Sequence, residues 1–227
     1  TDITPMGHLY LVRHGQASLG ADDYDQLSPL GVQQSQRLGE HWRAQGLTFD
    51  AVITGALKRH AQTLAGIQQG MDTQHHALVW PGLNEYDSEA VIRAIYPGEL
   101  ARPNTPENYK QHFRLLRDGL TQWMAGVVSP KGMPSYAEFL KGVTSALDHV
   151  RQECDGNVLL VSSGGPIATA VANVLRTSPE TSIELNLRIR NSAVSEFSFS
   201  PKRYQLLSFN HVTHLETPSH KDWITFA

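Results

Sequence analysis

Arg13-His14-Gly15 sets a guanidinium beside an imidazole at the end of a short apolar run, Leu9 to Val12, and follows them with a residue that has no side chain. A neutral imidazole is a nucleophile, and an arginine fork binds phosphate oxygens in pairs. Neighbouring residues of an extended strand face opposite sides, so Arg13 and His14 serve one pocket only if the strand ends there. Gly15 permits that sharp turn and a close approach to a ligand. Two further segments carry matching chemistry. Arg59 stands near the start of a helical segment, and Ser162-Ser163-Gly164-Gly165-Pro166 follows the wholly apolar run Val158 to Val161. A strand, a turn of small residues and a helix opened by proline make an anion site from free N–H groups and the helix dipole. Two arginines and such a helix start converge on a phosphate, with the imidazole of His14 against phosphorus.

Strands and helices must hold these positions, and the chain supplies them in alternation. The first strand ends at Val12-Arg13. Gln16 to Gln26 is polar and reads as loop; Ser28-Pro29 then caps and opens a helix in which Leu30, Leu38 and Trp42 share a face and Gly46 is the stop. A second strand over Asp50 to Thr54 feeds a helix from about Ala56 to Gln69, with Leu57, Ala61, Leu64 and Ala65 as its buried stripe and Arg59 off it. His75 to Trp80 reads as a third strand, starting at His75-His76, where adjacent side chains diverge and do not share a metal. From Glu85 to Pro134 prolines break the rhythm, which points to an inserted helical segment. Its long helix starts at Thr105-Pro106 and carries an apolar stripe of Tyr109, Phe113, Leu116, Leu120, Trp123, Met124 and Val127. Ser135 to Glu138 is a capping box, opening a helix with Phe139, Val143, Leu147 and Val150 on its apolar face. Val158 to Val161 is the mark of a central strand buried on both faces. Ser192 to Ser200 and Tyr204 to Phe209 read as a closing hairpin or edge strands, and the tail after Thr217 as loosely ordered. The expected fold is therefore α/β: three layers around a mostly parallel central sheet, in one domain over 1–227, with the substrate-side insertion at about 85–134. In such sheets the site lies outside the C-terminal strand ends.

With 227 residues, a formal charge of −3 and no basic tract, the composition argues against nucleic acid as a partner. No apolar stretch is long enough to span a membrane, and Thr1 to Gly7 has no signal pattern. The single cysteine fits a reducing cytoplasm. The partner expected is a small phosphorylated substrate, with no metal and no cofactor.

Four segments of the chain, in order, resemble the histidine phosphatase superfamily, which includes the cofactor-dependent phosphoglycerate mutases. Arg13-His14-Gly15 matches its signature at the end of the first strand, with Gln16 where glutamate is common. Leu27 to Gln34, Thr54 to Thr63 with Arg59, and Leu83-Asn84-Glu85 match its later segments. The resemblance implies that His14 attacks phosphorus to form a phosphohistidine, that Arg13, Arg59 and Gln16 bind the phosphate together with Ser163 and Gly164, and that Glu85 is the general acid and then base. Glu89 and Asp87 lie close enough in sequence to compete for that last role.

Two departures stand out. The family usually has Ser-His-Gly-Gly where this chain has Ser162-Ser163-Gly164-Gly165, and the asparagine usual six residues after the nucleophile is replaced by Gly20. The second histidine of the family touches the same phosphate opposite the nucleophile. Ser163 offers one neutral hydrogen bond there, against a charge-assisted one of about twice the strength. A slower enzyme or a replacement cation follows, with His60, His211 and His214 as candidates. Two alternatives to the phosphatase stay open: a phosphate-ligand binding protein that has lost turnover, and a phosphoglycerate-type mutase.

Overall fold

The structure, a computed structural model, describes residues 7–18 and 21–226. Gly20 lies outside the described residues. The chain runs β1 (Gly7–Arg13), α1 (Pro29–Ala44), β2 (Ala51–Thr54), α2 (Lys58–Met71), β3 (Leu78–Val79), α3 (Ser88–Ile95), α4 (Pro106–Met124), α5 (Tyr136–Glu153), β4 (Gly156–Ser162), α6 (Gly164–Val174), α7 (Pro179–Asn186), β5 (Val194–Ser200) and β6 (Arg203–His211). The strands form one sheet in the order β3-β2-β4-β1-β5-β6. β3, β2, β4 and β1 pair in parallel, whereas β5 joins antiparallel to β1 and β6 antiparallel to β5. The mostly parallel α/β sheet is as expected, and the closing segment is the hairpin.

Alternation along the central strands builds two cores. Leu9, Leu11, Val158 and Leu160 face one way, against Phe139, Val143 and Leu147 of α5 and Ile167 and Val171 of α6. Val12, Leu159 and Val161 face the other, against Leu38 and Trp42 of α1 and Leu64, Ile67 and Met71 of α2. The central stretches of β1 and β4, Leu9–Val12 and Val158–Val161, are nearly unbroken runs of apolar residues because these strands lie between two helical layers. Caps start the helices where expected. The Ser28 hydroxyl accepts from Gly31 N, Thr105 caps α4, and Ser135 and Glu138 form a reciprocal capping box.

The buried face of α2 differs from the expected stripe. Ala61 and Ala65 are exposed and Leu57 is half-buried; the face turned inward carries Arg59, His60, Thr63, Leu64, Ile67 and Met71. Glycines explain the rotation. A β-carbon on Gly39 would lie 2.1 Å from the Ile67 carbonyl oxygen, and one on Gly70 would lie 2.2 Å from that of Gln36, so α1 and α2 cross with their backbones in contact. Periodicity of bulky residues cannot register a face defined by missing side chains. Gly70→Ala is expected to cost about 1–3 kcal/mol through overpacking. A lower urea midpoint at unchanged slope is the check.

Three other segments depart from expectation. β3 pairs only at Leu78 and Val79, because the Gln68 carboxamide takes the His75 N–H at 2.8 Å and diverts the start of the run. On α4, burial holds only from Leu116 onward, and Tyr109 and Phe113 are exposed. α3, about 12 Å long against about 28 Å for α4, is too short to cover it. The tail is not loose. Gln34 Nε2 donates to the carbonyl of Trp223 at 2.6 Å and to Thr225 Oγ1 at 3.0 Å, and Asn191 N donates to the carbonyl of Thr225 at 2.9 Å. Among the described residues, no helix is long and apolar enough to cross a membrane.

Candidate active site

Register brings the three chemistry-bearing loops to one sheet edge. Arg13 pairs opposite Ser162, and the His14 N–H donates to the Ser162 carbonyl at 2.9 Å, so the turn after β1 lies against the turn after β4. His14 is only 4% exposed. Its Nδ1 lies 2.7 Å from the Gly15 carbonyl oxygen, which can only accept, so the proton sits on Nδ1 and Nε2 carries the free lone pair. Arg59 Nε donates to that Nε2 at 3.3 Å. Burial first, then the positive charges of Arg13 and Arg59, hold the His14 pKa well below its ordinary value. The ring is therefore neutral, with a nucleophilic nitrogen facing a guanidinium. Thr63 ties the two loops together: its hydroxyl accepts from Gly15 N at 3.0 Å and donates to the Arg59 carbonyl at 2.8 Å.

Each arginine is held from behind. Asp25 Oδ1 pairs with Arg59 Nη1 at 3.0 Å and also accepts the Arg59 N–H, while Oδ2 takes the Lys58 N–H at 2.9 Å. One carboxylate thus caps α2 and aims the guanidinium, whose other neighbour is the Tyr24 ring at 5.6 Å. Arg13 Nη1 donates to the carbonyls of Ile189 and, at 2.9 Å, Phe226. Its Nε is a buried donor with no partner among the described residues. An anion oxygen would satisfy it.

Glu85 follows a short 3₁₀ turn, Pro81–Leu83, and is anchored from two sides. Ser162 Oγ donates to the Leu83 carbonyl at 2.6 Å, and the Asn84 side chain accepts the Ala56 N–H at 2.7 Å. The carboxyl group accepts from Gly165 N at 3.0 Å, in the first turn of α6, and from Tyr86 N at 3.1 Å. A β-carbon at residue 165 would sit 2.1 Å from Glu85 Oε1, so only glycine there leaves the carboxyl group its place. Burial pushes the Glu85 pKa up, against the opposing pull of the Gly165 N–H and of Arg59 and Arg13. Glu89 lies outside this arrangement and pairs with Arg93, while Asp87 caps α3.

The remaining expected residues divide. Ser163 and Gly164 are fully buried at the start of α6, and Ser163 Oγ lies 2.7 Å from His60 Nε2. Gln16 is turned partly aside: its side-chain oxygen accepts from Ser28 Oγ at 2.8 Å and its backbone N–H goes to Gln34, leaving the amide Nε2 as the end able to donate to an anion. His211 pairs with Glu196 at 3.0 Å and His214 with Ser192 Oγ at 2.9 Å, so of the three candidate histidines His60 alone reaches Ser163. Sequence reasoning missed Asp25, Thr63 as the bridge, Asn191, whose Nδ2 approaches the His14 carbonyl at 3.4 Å, and the tail carbonyl on Arg13. Only Thr63, inside a recognised segment, carried a signal. Among the described residues no group of three or more His, Cys, Asp or Glu side chains forms a metal-binding cluster.

The chain is 35% identical over 63 residues to the broad-specificity phosphatase YOR283W of Saccharomyces cerevisiae, a match covering 25% of this chain and 27% of that one. It is 37% identical over 73 residues to a 2,3-bisphosphoglycerate-dependent phosphoglycerate mutase of Nitrosomonas europaea, covering 30% and 31%. The chain thus spans about a third or less of these curated relatives. Among solved structures, phosphoserine phosphatase of Entamoeba histolytica superposes with a TM-score of 0.62 at 22% identity, covering 92% of this chain and 100% of that one. YhfR of Bacillus stearothermophilus superposes with a TM-score of 0.67 at 19% identity over the same shares. These structural likenesses concern the fold. The family model for the histidine phosphatase superfamily (branch 1) matches residues 9–212, nearly the whole chain, and the chain belongs to that superfamily.

Proposed function

We propose that the protein is a phosphatase that hydrolyses a small phosphomonoester through a phosphohistidine on His14, with no metal in the cycle. The observation that carries this reading is the seat of His14: Nδ1 lies 2.7 Å from the Gly15 carbonyl oxygen, and Nε2 accepts from Arg59 Nε at 3.3 Å. In the first step the Nε2 lone pair forms a bond to phosphorus, the ester P–O bond breaks, and Glu85 gives its proton to the leaving alkoxide. In the second step water attacks phosphorus, Glu85 takes the water's proton, and the N–P bond breaks to release phosphate and restore neutral His14. Arg13 and Arg59 stabilise charge on the transferring oxygens throughout, with Ser163, Gly164 and the Gln16 amide as neutral donors. Burial first, and then the same two charges that bind the phosphoryl group, keep the nucleophile unprotonated.

Substrate choice belongs to the segment 85–134, the insertion beside the site. Tyr86, directly after Glu85, is half-buried, and its hydroxyl accepts from Asn186 Nδ2 at 2.9 Å, which ties this segment to α7 beside Glu85. Known relatives with this fold bear names for phosphoserine and α-ribazole phosphate chemistry. Small phosphorylated metabolites are accordingly the class to screen, and the lone Cys154 fits a cytoplasmic setting. The test is release of inorganic phosphate from p-nitrophenyl phosphate and a panel of alkyl phosphomonoesters by the purified chain. Tight binding of phosphate without any turnover would overturn the enzyme reading in favour of a binding protein.

A further inference from the structure

Ser163 stands at the N-cap position of α6, where serine ordinarily accepts a backbone N–H of the first turn, yet its hydroxyl makes no capping bond. The hydroxyl lies instead 2.7 Å from Nε2 of His60. His60 is completely buried, and its other nitrogen, Nδ1, has no partner among the described residues. The ring is seated in the turn between β2 and α2: a β-carbon on Gly55 would lie 2.1 Å from His60 Nδ1. An imidazole has been built into this turn, behind the serine and 6.0 Å from the ring of His14, measured between centroids.

We infer that His60 acts through Ser163 as a positioning residue for the phosphoryl group: His60 Nε2–H donates to Ser163 Oγ, and the Ser163 hydroxyl proton is thereby directed to a phosphate oxygen. This rests on the phosphatase reading and names a further part of the same site. Buried N–H groups without acceptors are rarer than bare acceptors, so the proton of the neutral ring belongs on Nε2, where Oγ can take it, rather than on unpartnered Nδ1. Burial, and then the charge of Arg59, hold His60 neutral, with a pKa pushed down to about 3. With an acceptor lone pair of Oγ engaged from behind, the hydroxyl keeps its own proton for another acceptor. Ser163 sits between Ser162, whose carbonyl holds the His14 N–H, and Gly165, whose N–H holds Glu85. The acceptor that fits there is an oxygen of the group His14 attacks. Chained hydrogen bonds polarise one another, so the imidazole strengthens a donor that would otherwise be an ordinary alcohol.

The test joins kinetics with a readout that needs no turnover. Ser163→Ala is expected to lower kcat about 10²-fold, the effect of losing one donor to the transition state. His60→Ala is expected to lower kcat about tenfold, and the double variant should be no slower than Ser163→Ala alone, because both changes break one chain. His60→Gln, whose amide N–H can reach the same oxygen, should recover most of the loss. Additive losses, or a glutamine variant no better than alanine, would overturn the inference. Nitrogen-resolved NMR of the imidazoles in the wild-type chain is expected to show His60 as the Nε2–H tautomer, and saturation with inorganic phosphate to shift that signal. An Nδ1–H tautomer, or a signal indifferent to phosphate, would refute it even if no substrate were turned over. A chain that lacks turnover yet shows the expected tautomer and shift would overturn the phosphatase reading and leave this contact standing.

Discussion

His14→Ala is expected to lower turnover of p-nitrophenyl phosphate by on the order of 10⁴- to 10⁶-fold, the scale on which enzymes lose activity when a nucleophile is deleted. Binding of inorganic phosphate should survive, because Arg59 stays fixed by Asp25 and Arg13 by the carbonyls of Ile189 and Phe226. Deleting the ring also removes the acceptor of Arg59 Nε, freeing a donor for the anion. Calorimetry with phosphate, run beside the kinetic assay, separates loss of chemistry from loss of the site. A variant turning over at a rate near the parent's would mean that water attacks the ester directly. The covalent mechanism would then be wrong, whatever the arginines do.

Glu85→Gln should have the second-largest effect, and its size should depend on the leaving group. An alkoxide needs a proton as the P–O bond breaks; p-nitrophenolate does not. The loss should therefore be about 10²–10⁴-fold in kcat for an alkyl phosphomonoester and clearly smaller for p-nitrophenyl phosphate. The pH dependence follows from the raised Glu85 pKa. Glu85 is a competent acid below that value and ionised above it, so kcat for an alkyl ester should fall as pH rises through it. On the acid side His14, held well below its ordinary value, stays neutral and reactive where a free histidine would be protonated. The fall of kcat with rising pH should vanish in Glu85→Gln. Gly165→Ala, which puts a β-carbon where the carboxyl group rests, should reproduce much of the loss. Equal losses for both leaving groups would move the acid to another residue.

Local patterning carried much of the fold. The caps at Ser28, Thr105 and Ser135, the apolar runs of β1 and β4, and the small-residue turn before α6 all depend on near neighbours, which a sequence shows directly. The face of α2 was not legible, because Gly39 and Gly70 define it by absence, and hydrophobic periodicity then favoured the exposed alanines. The site divides in the same way. Arg13, His14 and Arg59 announce themselves by type and setting, but what aims them does not. Asp25 is one of three acidic residues in a short polar loop with Asp22 and Asp23, and only the folded loop distinguishes it. The partners of Arg13 lie 176 and 213 residues away. The diversion of Ser163 from capping to His60 likewise spans 103 residues and leaves no local mark.

The pairing of β1 has a consequence for biosynthesis. The strand that bears His14 is among the first parts of this sequence to leave the ribosome, yet its two neighbours are β4 and β5, whose residues are translated well over a hundred positions later. Until then the nascent chain carries an apolar strand with both edges open, a state prone to mispairing. One of the two carbonyls that clasp Arg13 arrives later still, with Phe226. Such distant closures fold slowly. The proposed phosphate cradle is thus expected to be among the last features to assemble, and a stalled or shortened translation product would carry His14 without the carbonyl grip on Arg13.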